Sequence, residues 1–311
     1  MSRIIIAGAG AFGTALALAI ERPLTLTGRD MSDMIASRLS PKLPDVRLPN
    51  RIALEPTPQV GPDDMLLVAI PMQAMAKFLT DRNMRPKAAI ACCKGIELST
   101  MRGPTAVLKE TLGCPTAVLT GPSFATDISM GKPTALTLAC SDTDLGQELQ
   151  AALTSDTLRL YLSDDPTGAE LGGALKNVIA IACGICMGAG LGESARAALM
   201  TRGMAETTRL ALKLGAKAET LNGLAGFGDL ALTCTSGQSR NYSFGAALGA
   251  SQDPEPGKTV EGRATALATL QLARKHGVDM PITEVVAGLI AQEITIGEAL
   301  AKLLSRPLTS E

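Results

Sequence analysis

The sequence predicts an α/β chain in two parts: a first half built on a mainly parallel β-sheet, and an all-helical second half. Three observations carry that prediction. Short apolar runs recur through the first 140 positions, the first of them feeds a glycine-rich turn and an apolar helix, and beyond Pro166 long helical segments joined by glycine-rich turns replace such runs. Strands that are apolar throughout belong to a parallel sheet covered on both faces. With 311 residues, 46% of them hydrophobic, the chain can fill two cores. The expected domains are 1–165 and 166–311.

The first strand is Ile4–Ala7, followed by Gly8-Ala-Gly10-Ala-Phe-Gly13 and the helical run Thr14–Ile20. This is G-x-G-x-x-G between a strand and a helix, the context that marks a dinucleotide-binding (Rossmann) unit. Gly8 permits the tight turn, Gly10 lets backbone approach a pyrophosphate, Gly13 lets helix pack on strand, and the helix N-terminus supplies N–H groups. NAD or NADP is the expected cofactor. The second strand, Leu24–Thr27, comes after the short connection Glu21-Arg22-Pro23 and ends at Gly28-Arg29-Asp30. An acidic residue there favours NAD, whereas an arginine can stack on adenine and pair with a 2′-phosphate. Arg29 argues that NADP is accepted, and Asp30 leaves NAD open.

Further strands are expected at Met65–Ile70, Ala88–Cys92, Thr116–Thr120 and Thr134–Ala139. Three of them end in Pro71, Lys94-Gly95 and Gly121-Pro-Ser-Phe-Ala125, and ligands of open α/β sheets bind at such carboxyl ends. Lys94 is either a solvated loop lysine or a functional one, and its place favours function. Gly121-Pro122-Ser123 could equally be a plain turn with proline opening a helix.

In the second half, helices are expected over Thr167–Met187, Ser194–Leu214, Gly228–Cys234, Ser243–Leu248, Thr265–His276 and Ile282–Ile290. Lys176 is the only charged residue in the 21 positions from Leu171 to Leu191. The run is long enough to span a membrane, but its glycines, the adjacent Asn177, and a charge well inside the span argue against that. On a helix, Lys176 shares a face with Gly172, Gly173, Ile179, Ala180 and Cys183. It either snorkels to a surface or is a desolvated amine with a lowered pKa, able to exchange protons near pH 7. A second constellation, Gly223-Leu-Ala-Gly-Phe-Gly-Asp229, precedes Ser239-Arg240-Asn241. Asp229 can orient a lysine ammonium, and the Ser-Arg-Asn run at a helix start suits a phosphate.

The remaining composition narrows the partners. Net charge is −1, so nothing draws the chain to nucleic acid or to an anionic membrane. The opening residues lack the pattern of a signal peptide, and a cytoplasmic location is expected. The seven cysteines sit mostly in apolar runs and read as reduced. Cys183-x-x-Cys186 reads as core packing, with no metal expected. His276, the single histidine, reads as the last residue of a helix closed by Gly277. It needs no catalytic role.

Motif after motif, the sequence resembles the bacterial NAD(P)-dependent glycerol-3-phosphate dehydrogenases. The resemblance runs through GAGAFGTALA, CCKGIE, GPSFA, LGGALKNVIAIACGI, ARAALMTRGMAE, GLAGFGDLALTCTSGQSRN and VEG. It implies that Lys176 is the catalytic proton donor and acceptor. It also implies that Lys94, Gly121, Ser123, Lys176, Asp229, Ser239, Arg240 and Asn241 line the substrate site. Cofactor contacts are implied for Gly8, Gly10, Ala11, Phe12, Gly13, Arg29, Lys94, Ala125, Arg240 and Glu261. The chain departs from the family's pattern in its short turn around Pro23, in lacking a tryptophan near Gly28, and in having Met187-Gly-Ala-Gly-Leu-Gly-Glu193-Ser194 where the family has D-G-x-G-x-G-x-N.

The implied reaction is reversible reduction of dihydroxyacetone phosphate to sn-glycerol 3-phosphate for phospholipid synthesis. The substrate is thus a small phosphorylated molecule, and a homodimer is expected. Two other readings compete: an oxidoreductase of the 3-hydroxyacid dehydrogenase group, whose substrates carry carboxylate, and a non-catalytic NAD(P)-sensing module.

Overall fold

A computed structural model describes residues 2–257 and 259–305. Met1, Lys258 and residues 306–311, which the two expected domains include, lie outside the described residues. The first part of the chain runs β1 (Ile4–Ala7), α1 (Ala11–Ala19), β2 (Leu24–Thr27), α2 (Ser32–Ser37), β3 (Leu39–Ser40), β4 (Leu43–Arg47), β5 (Ile52–Leu54), β6 (Met65–Val68) and α3 (Met72–Thr80). It continues with β7 (Ala88–Ala91), α4 (Pro104–Leu112), β8 (Thr116–Thr120), α5 (Ala125–Ser129), β9 (Thr134–Ala139), α6 (Thr143–Leu153) and β10 (Leu158–Ser163).

Eight strands form one sheet in the order β10-β9-β8-β7-β6-β1-β2-β5, and β3 pairs only with β4. Neighbours in the large sheet are parallel except β8 and β9, which are antiparallel. The apolar runs have the cause expected of them. Along β1, Ile4 and Ile6 join one core with Leu16 of α1 and Leu149 of α6, while Ile5 and Ala7 join a second core with Met75 of α3 and Val107 of α4. Both faces are therefore covered.

β10 was not signalled by an apolar run, because it is an edge strand. Leu158 and Leu160 face inward, whereas Arg159 and Tyr161 face outward, so its residues alternate. The short β5 closes the opposite edge and is equally absent from the expected strands.

After Ser163 the described residues contain no strand. The helices are α7 (Pro166–Gly188), α8 (Glu193–Lys213), α9 (Ala218–Asn222), α10 (Asp229–Cys234), α11 (Arg240–Gly249), α12 (Glu261–His276), α13 (Pro281–Ile290) and α14 (Ile296–Leu304), with a π-helical turn at Leu224–Gly228. Asp165 caps α7 by accepting from Gly168 N at 2.8 Å, and its other oxygen accepts from Lys217 N at 2.8 Å. Two helices start earlier than their apolar pattern suggests. Ser239 caps α11 at Arg240, and α12 begins at Glu261. The unanticipated α14 carries a signal the sequence does contain, the capping box Thr295-Ile-Gly-Glu298.

α7 explains the long apolar run. It is the one helix among the described residues long and apolar enough to cross a membrane, yet 89% of its most apolar window is buried inside the protein. Helices α8, α10, α11, α12 and α13 surround it. Its glycines serve close packing: a Cβ on Gly184 would lie 2.8 Å from Ala246 N of α11, and one on Gly245 would lie 3.0 Å from Ile181 Cα. Cys183 and Cys186 are buried free thiols on this helix, and α12 ends at His276 with Gly277 left-handed behind it.

Candidate active site

The glycine loop ends β1 at the point where the strand order reverses, since β1 lies between β2 and β6. Gly8 has φ +123°, and a Cβ there would strike the Ala69 carbonyl. A Cβ on Gly13 would overlap the Gly8 carbonyl, so this glycine lets α1 pack against the turn. Gly10 differs from both: a Cβ there would meet nothing within 4 Å. Gly10 is also the N-cap of α1 and offers no side-chain cap, so the N–H groups at Ala11 and Phe12 open a helix with no side chain in front of them. An open cradle and uncapped helix fit the pyrophosphate of NAD(P). Arg29 and Asp30 are exposed just beyond β2, and Asp30 has φ +45°.

This geometry separates binding from folding. Gly10→Val should leave the melting temperature near wild type, because space surrounds the new side chain. Fluorescence titration should show NAD(P)H affinity lower by about tenfold or more, since each charge-assisted N–H contact denied to the pyrophosphate is worth about 1.5–3 kcal/mol. Unchanged affinity would remove the loop's assignment.

The carboxyl ends of β7 and β8 meet α7 and α10 at two lysines. Lys94, just after β7, donates to the Gly121 carbonyl at 3.2 Å and pairs with Asp229 Oδ2 at 2.5 Å. Gly95 follows with φ +135°, and Gly121 has φ +143°. Lys176 Nζ pairs with the other oxygen, Asp229 Oδ1, and donates to Thr233 Oγ1 at 2.7 Å. Asp229 is fully buried, and the Lys176 and Lys94 side chains are 8% and 16% exposed. One carboxylate therefore holds two ammonium groups.

Burial pulls the Lys176 ammonium down to about 8; the Asp229 carboxylate opposes the shift, and the cationic Lys94 adds to it. Two carboxyl groups lie along the seam between the sheet and the helices. Burial raises Glu261 to about 7 against Arg240 and Lys94, and raises Glu170 to about 7 against its bond from Thr105.

The glycines beside Lys176 are occupied by protein. A Cβ on Gly172 would lie 2.5 Å from the Ala225 carbonyl, and one on Gly173 would lie 2.8 Å from Thr120 Oγ1 and 3.5 Å from Lys94 Cγ. They admit the turn that carries Asp229 and the stem of Lys94. Sequence reasoning gave Thr233 no role; its signal was the four-residue spacing from Asp229, which places both on one face of α10. Glu193, in the altered glycine loop, pairs with Arg196.

The Ser239-Arg240-Asn241 run lies at the start of α11. Ser239 Oγ accepts from Tyr242 N at 3.2 Å, and Arg240 is exposed with no hydrogen bond or salt bridge among the described residues. Asn241 is committed to packing on both sides of its amide: Nδ2 donates to Asn177 Oδ1 and Oδ1 accepts from Gly262 N, each at 2.9 Å. Ser123 Oγ donates to the Gly121 carbonyl at 3.3 Å, and Ala125 opens α5. Thr126 of α5 donates to Gln238 Oε1 at 2.9 Å, joining the sheet half to the loop before α11.

Comparison with known proteins gives matches over nearly all of the chain. Residues 3–146 match the family model described as NAD-dependent glycerol-3-phosphate dehydrogenase N-terminus, and residues 165–301 match the corresponding C-terminus. Proteins named glycerol-3-phosphate dehydrogenase (NAD(P)+) from Ruegeria sp. and Cereibacter sphaeroides are each 52% identical to it, covering 99% and 98% of this chain and 99% of their own. Among solved structures, a glycerol-3-phosphate dehydrogenase from Coxiella burnetii superposes with a TM-score of 0.90 at 34% identity, covering 98% of this chain and 99% of its own.

Proposed function

This chain belongs to the NAD-dependent glycerol-3-phosphate dehydrogenase family, and we propose that its buried lysine cluster and the loop before α11 carry that family's reaction. It is an NAD(P)-dependent oxidoreductase that interconverts dihydroxyacetone phosphate and sn-glycerol 3-phosphate, supplying glycerophospholipid synthesis. The observation that carries the residue assignment is the Lys94–Asp229–Lys176 cluster at the carboxyl end of the sheet.

NAD(P)H, when bound along the glycine loop, supplies the hydride for the carbonyl carbon. The chain's residues handle the proton and the charge. Lys176 Nζ, held by Asp229 and Thr233, gives its proton to the carbonyl oxygen as negative charge develops there, and takes it back in the reverse direction. With its pKa near 8, Lys176 is protonated at neutral pH yet far more acidic than an ordinary lysine. Lys94 adds a second cation beside the same oxygen, in a site dry enough for that charge to count.

Gly121 and Ser123 line the sheet side of the substrate. Ser239 and Arg240 face its phosphate, while Asn241 holds the start of α11 against α7 and reaches substrate with its remaining amide hydrogen. Residues 1–165 bind NAD or NADP through Gly8, Gly10, Ala11, Phe12, Gly13, Arg29 and Ala125. Residues 166–311 supply the acid and the phosphate site, with Arg240 and Glu261 closing on the cofactor. A cytoplasmic location is supported by seven cysteines that are all free thiols. The homodimer is proposed on the family resemblance alone.

The test is oxidation of NADH and NADPH by the purified protein with dihydroxyacetone phosphate. Turnover is expected with that substrate and none with 3-oxo acids. The reverse preference would place the chain in the hydroxyacid dehydrogenase group. Binding of cofactor without turnover on either substrate would favour the sensing module. Arg240 gives a second check: Arg240→Ala should raise the Michaelis constant for dihydroxyacetone phosphate roughly 10- to 150-fold, matching about 1.5–3 kcal/mol for a charge-assisted contact. Unphosphorylated dihydroxyacetone should be far less affected, and equal losses on both substrates would contradict the phosphate assignment.

A further inference from the structure

The mechanism leaves one half-buried carboxyl group of α7 without a task. Glu170 lies six residues before Lys176 on α7, with Gly173 midway, so Gly173 is the next-turn neighbour of each. Gly173 and Glu170 meet the sheet half, and Lys176 meets α10. Lys176 meets Asp229, Gly173 lies where the Lys94 stem passes, and Glu170 Oε1 accepts from Thr105 N at 2.5 Å. Thr105 is in the first turn of α4, whose N-cap is Gly103 and therefore has no side chain to satisfy that turn. The capping group thus arrives from the other half of the molecule.

The segment between Lys94 and α4 buries Ile96 in one core with Leu171 and Leu175 of α7, and its Glu97 and Arg102 pair with each other. Gln73 of α3 grips its middle, donating to the Ile96 carbonyl at 2.8 Å and accepting from Leu98 N at 3.0 Å. At its far end Arg102 pairs with Glu110 of α4, and the Glu170 bond ties that end to α7. A Cβ on Gly103 would crowd the carboxyl carbon of Glu170 at 2.9 Å, so a side chain there would push the carboxylate away from the helix end. The backbone at Gly103, with φ −75° and ψ 166°, is otherwise open to any residue.

We propose that Glu170 is a positioning residue for the reaction: by capping α4 it fixes the far end of the segment that begins at Lys94, so that α7 sets both that segment and Lys176 in one register. The inference rests on the functional reading of Lys94 above. It goes beyond that reading in giving a task to a group that touches neither substrate nor cofactor.

The full-length protein carries the test, in two single variants and their combination. Glu170→Ala removes the cap, and Gly103→Ala displaces it from the other side without disturbing α7. Each should lower kcat/KM for dihydroxyacetone phosphate by about 10- to 10²-fold, the scale of a misplacement of about 1 Å, with the NADH dissociation constant almost unmoved. The double variant should be no worse than either single one, because both act on one contact.

Hydrogen exchange should rise over residues 95–105 and stay at wild-type levels in α8 and α11. Wild-type kcat/KM in either single variant, additive losses in the double, or exchange raised throughout the chain would each overturn the proposal. If the wild type itself failed to reduce dihydroxyacetone phosphate, the functional reading would fall instead, and the exchange measurement would still decide whether Glu170 holds this segment.

Discussion

Lys176→Met should reduce turnover by about 10²- to 10⁴-fold, the usual contribution of a positioned general acid, while NAD(P)H titrates almost as it does with wild type. Methionine keeps the length and the apolar body of the side chain in a helix packed on every side. What it removes is the proton and one of the two ammonium groups on Asp229, and the Lys94 pair survives. Because an ammonium is costly to bury, the variant should melt at or above the wild-type temperature at pH 7.

The titration sign makes this sharper. Unfolded Lys176 holds its proton to about 10.5 and folded Lys176 only to about 8, so between those values the unfolded chain binds more protons. Wild-type stability therefore climbs with pH through that window, and the methionine variant lacks this contribution. The variant's advantage in melting temperature should shrink from pH 7 to pH 10. In kinetics, kcat/KM for carbonyl reduction by the wild type should fall as pH rises through about 8, and that for alcohol oxidation should rise through the same value. A folded Lys176→Met protein turning over at the wild-type rate would falsify the catalytic assignment.

Much of this was legible in the sequence wherever a physical requirement left a local trace. Strands covered on both faces must be apolar throughout, so β1, β6, β7 and β8 announce themselves, whereas β10, with one face to solvent, alternates and does not. A lone amine in an apolar helix stands out for the same reason, and Lys176 is singled out by its sequence setting alone.

What was not legible depends on contacts between distant segments. That Asp229 would hold two lysines requires Gly172 to admit the turn carrying it and Gly173 to admit the stem of Lys94, and a glycine does not reveal which neighbour fills its space. Glu170 is harder still: its partner is a backbone N–H 65 positions away, and backbone leaves no residue-type signature.

Asp229→Asn should be the most damaging conservative change in the site, costing about 3–5 kcal/mol of stability at pH 7, the range for breaking a buried pair and leaving charge behind. The substitution keeps shape and volume. Its amide oxygen can accept from one lysine, but its NH₂ group then faces the other ammonium, so two cations remain together with nothing to balance them. Lys176 escapes part of this cost by releasing its proton, because the carboxylate that opposed its downward shift is gone. That escape has two measurable consequences. First, the acid is lost at neutral pH, so carbonyl reduction should fall sharply even at temperatures where the variant is folded, and its remaining rate should rise as pH is lowered below 8. Second, the unfolded chain keeps the lysine proton over a wider pH range than in wild type, so the stability of the variant should climb steeply with pH. The gap in melting temperature between wild type and Asp229→Asn should therefore narrow from pH 7 to pH 9 in calorimetry. A gap independent of pH would mean that Asp229 supports the fold through packing and not by holding the two ammonium groups.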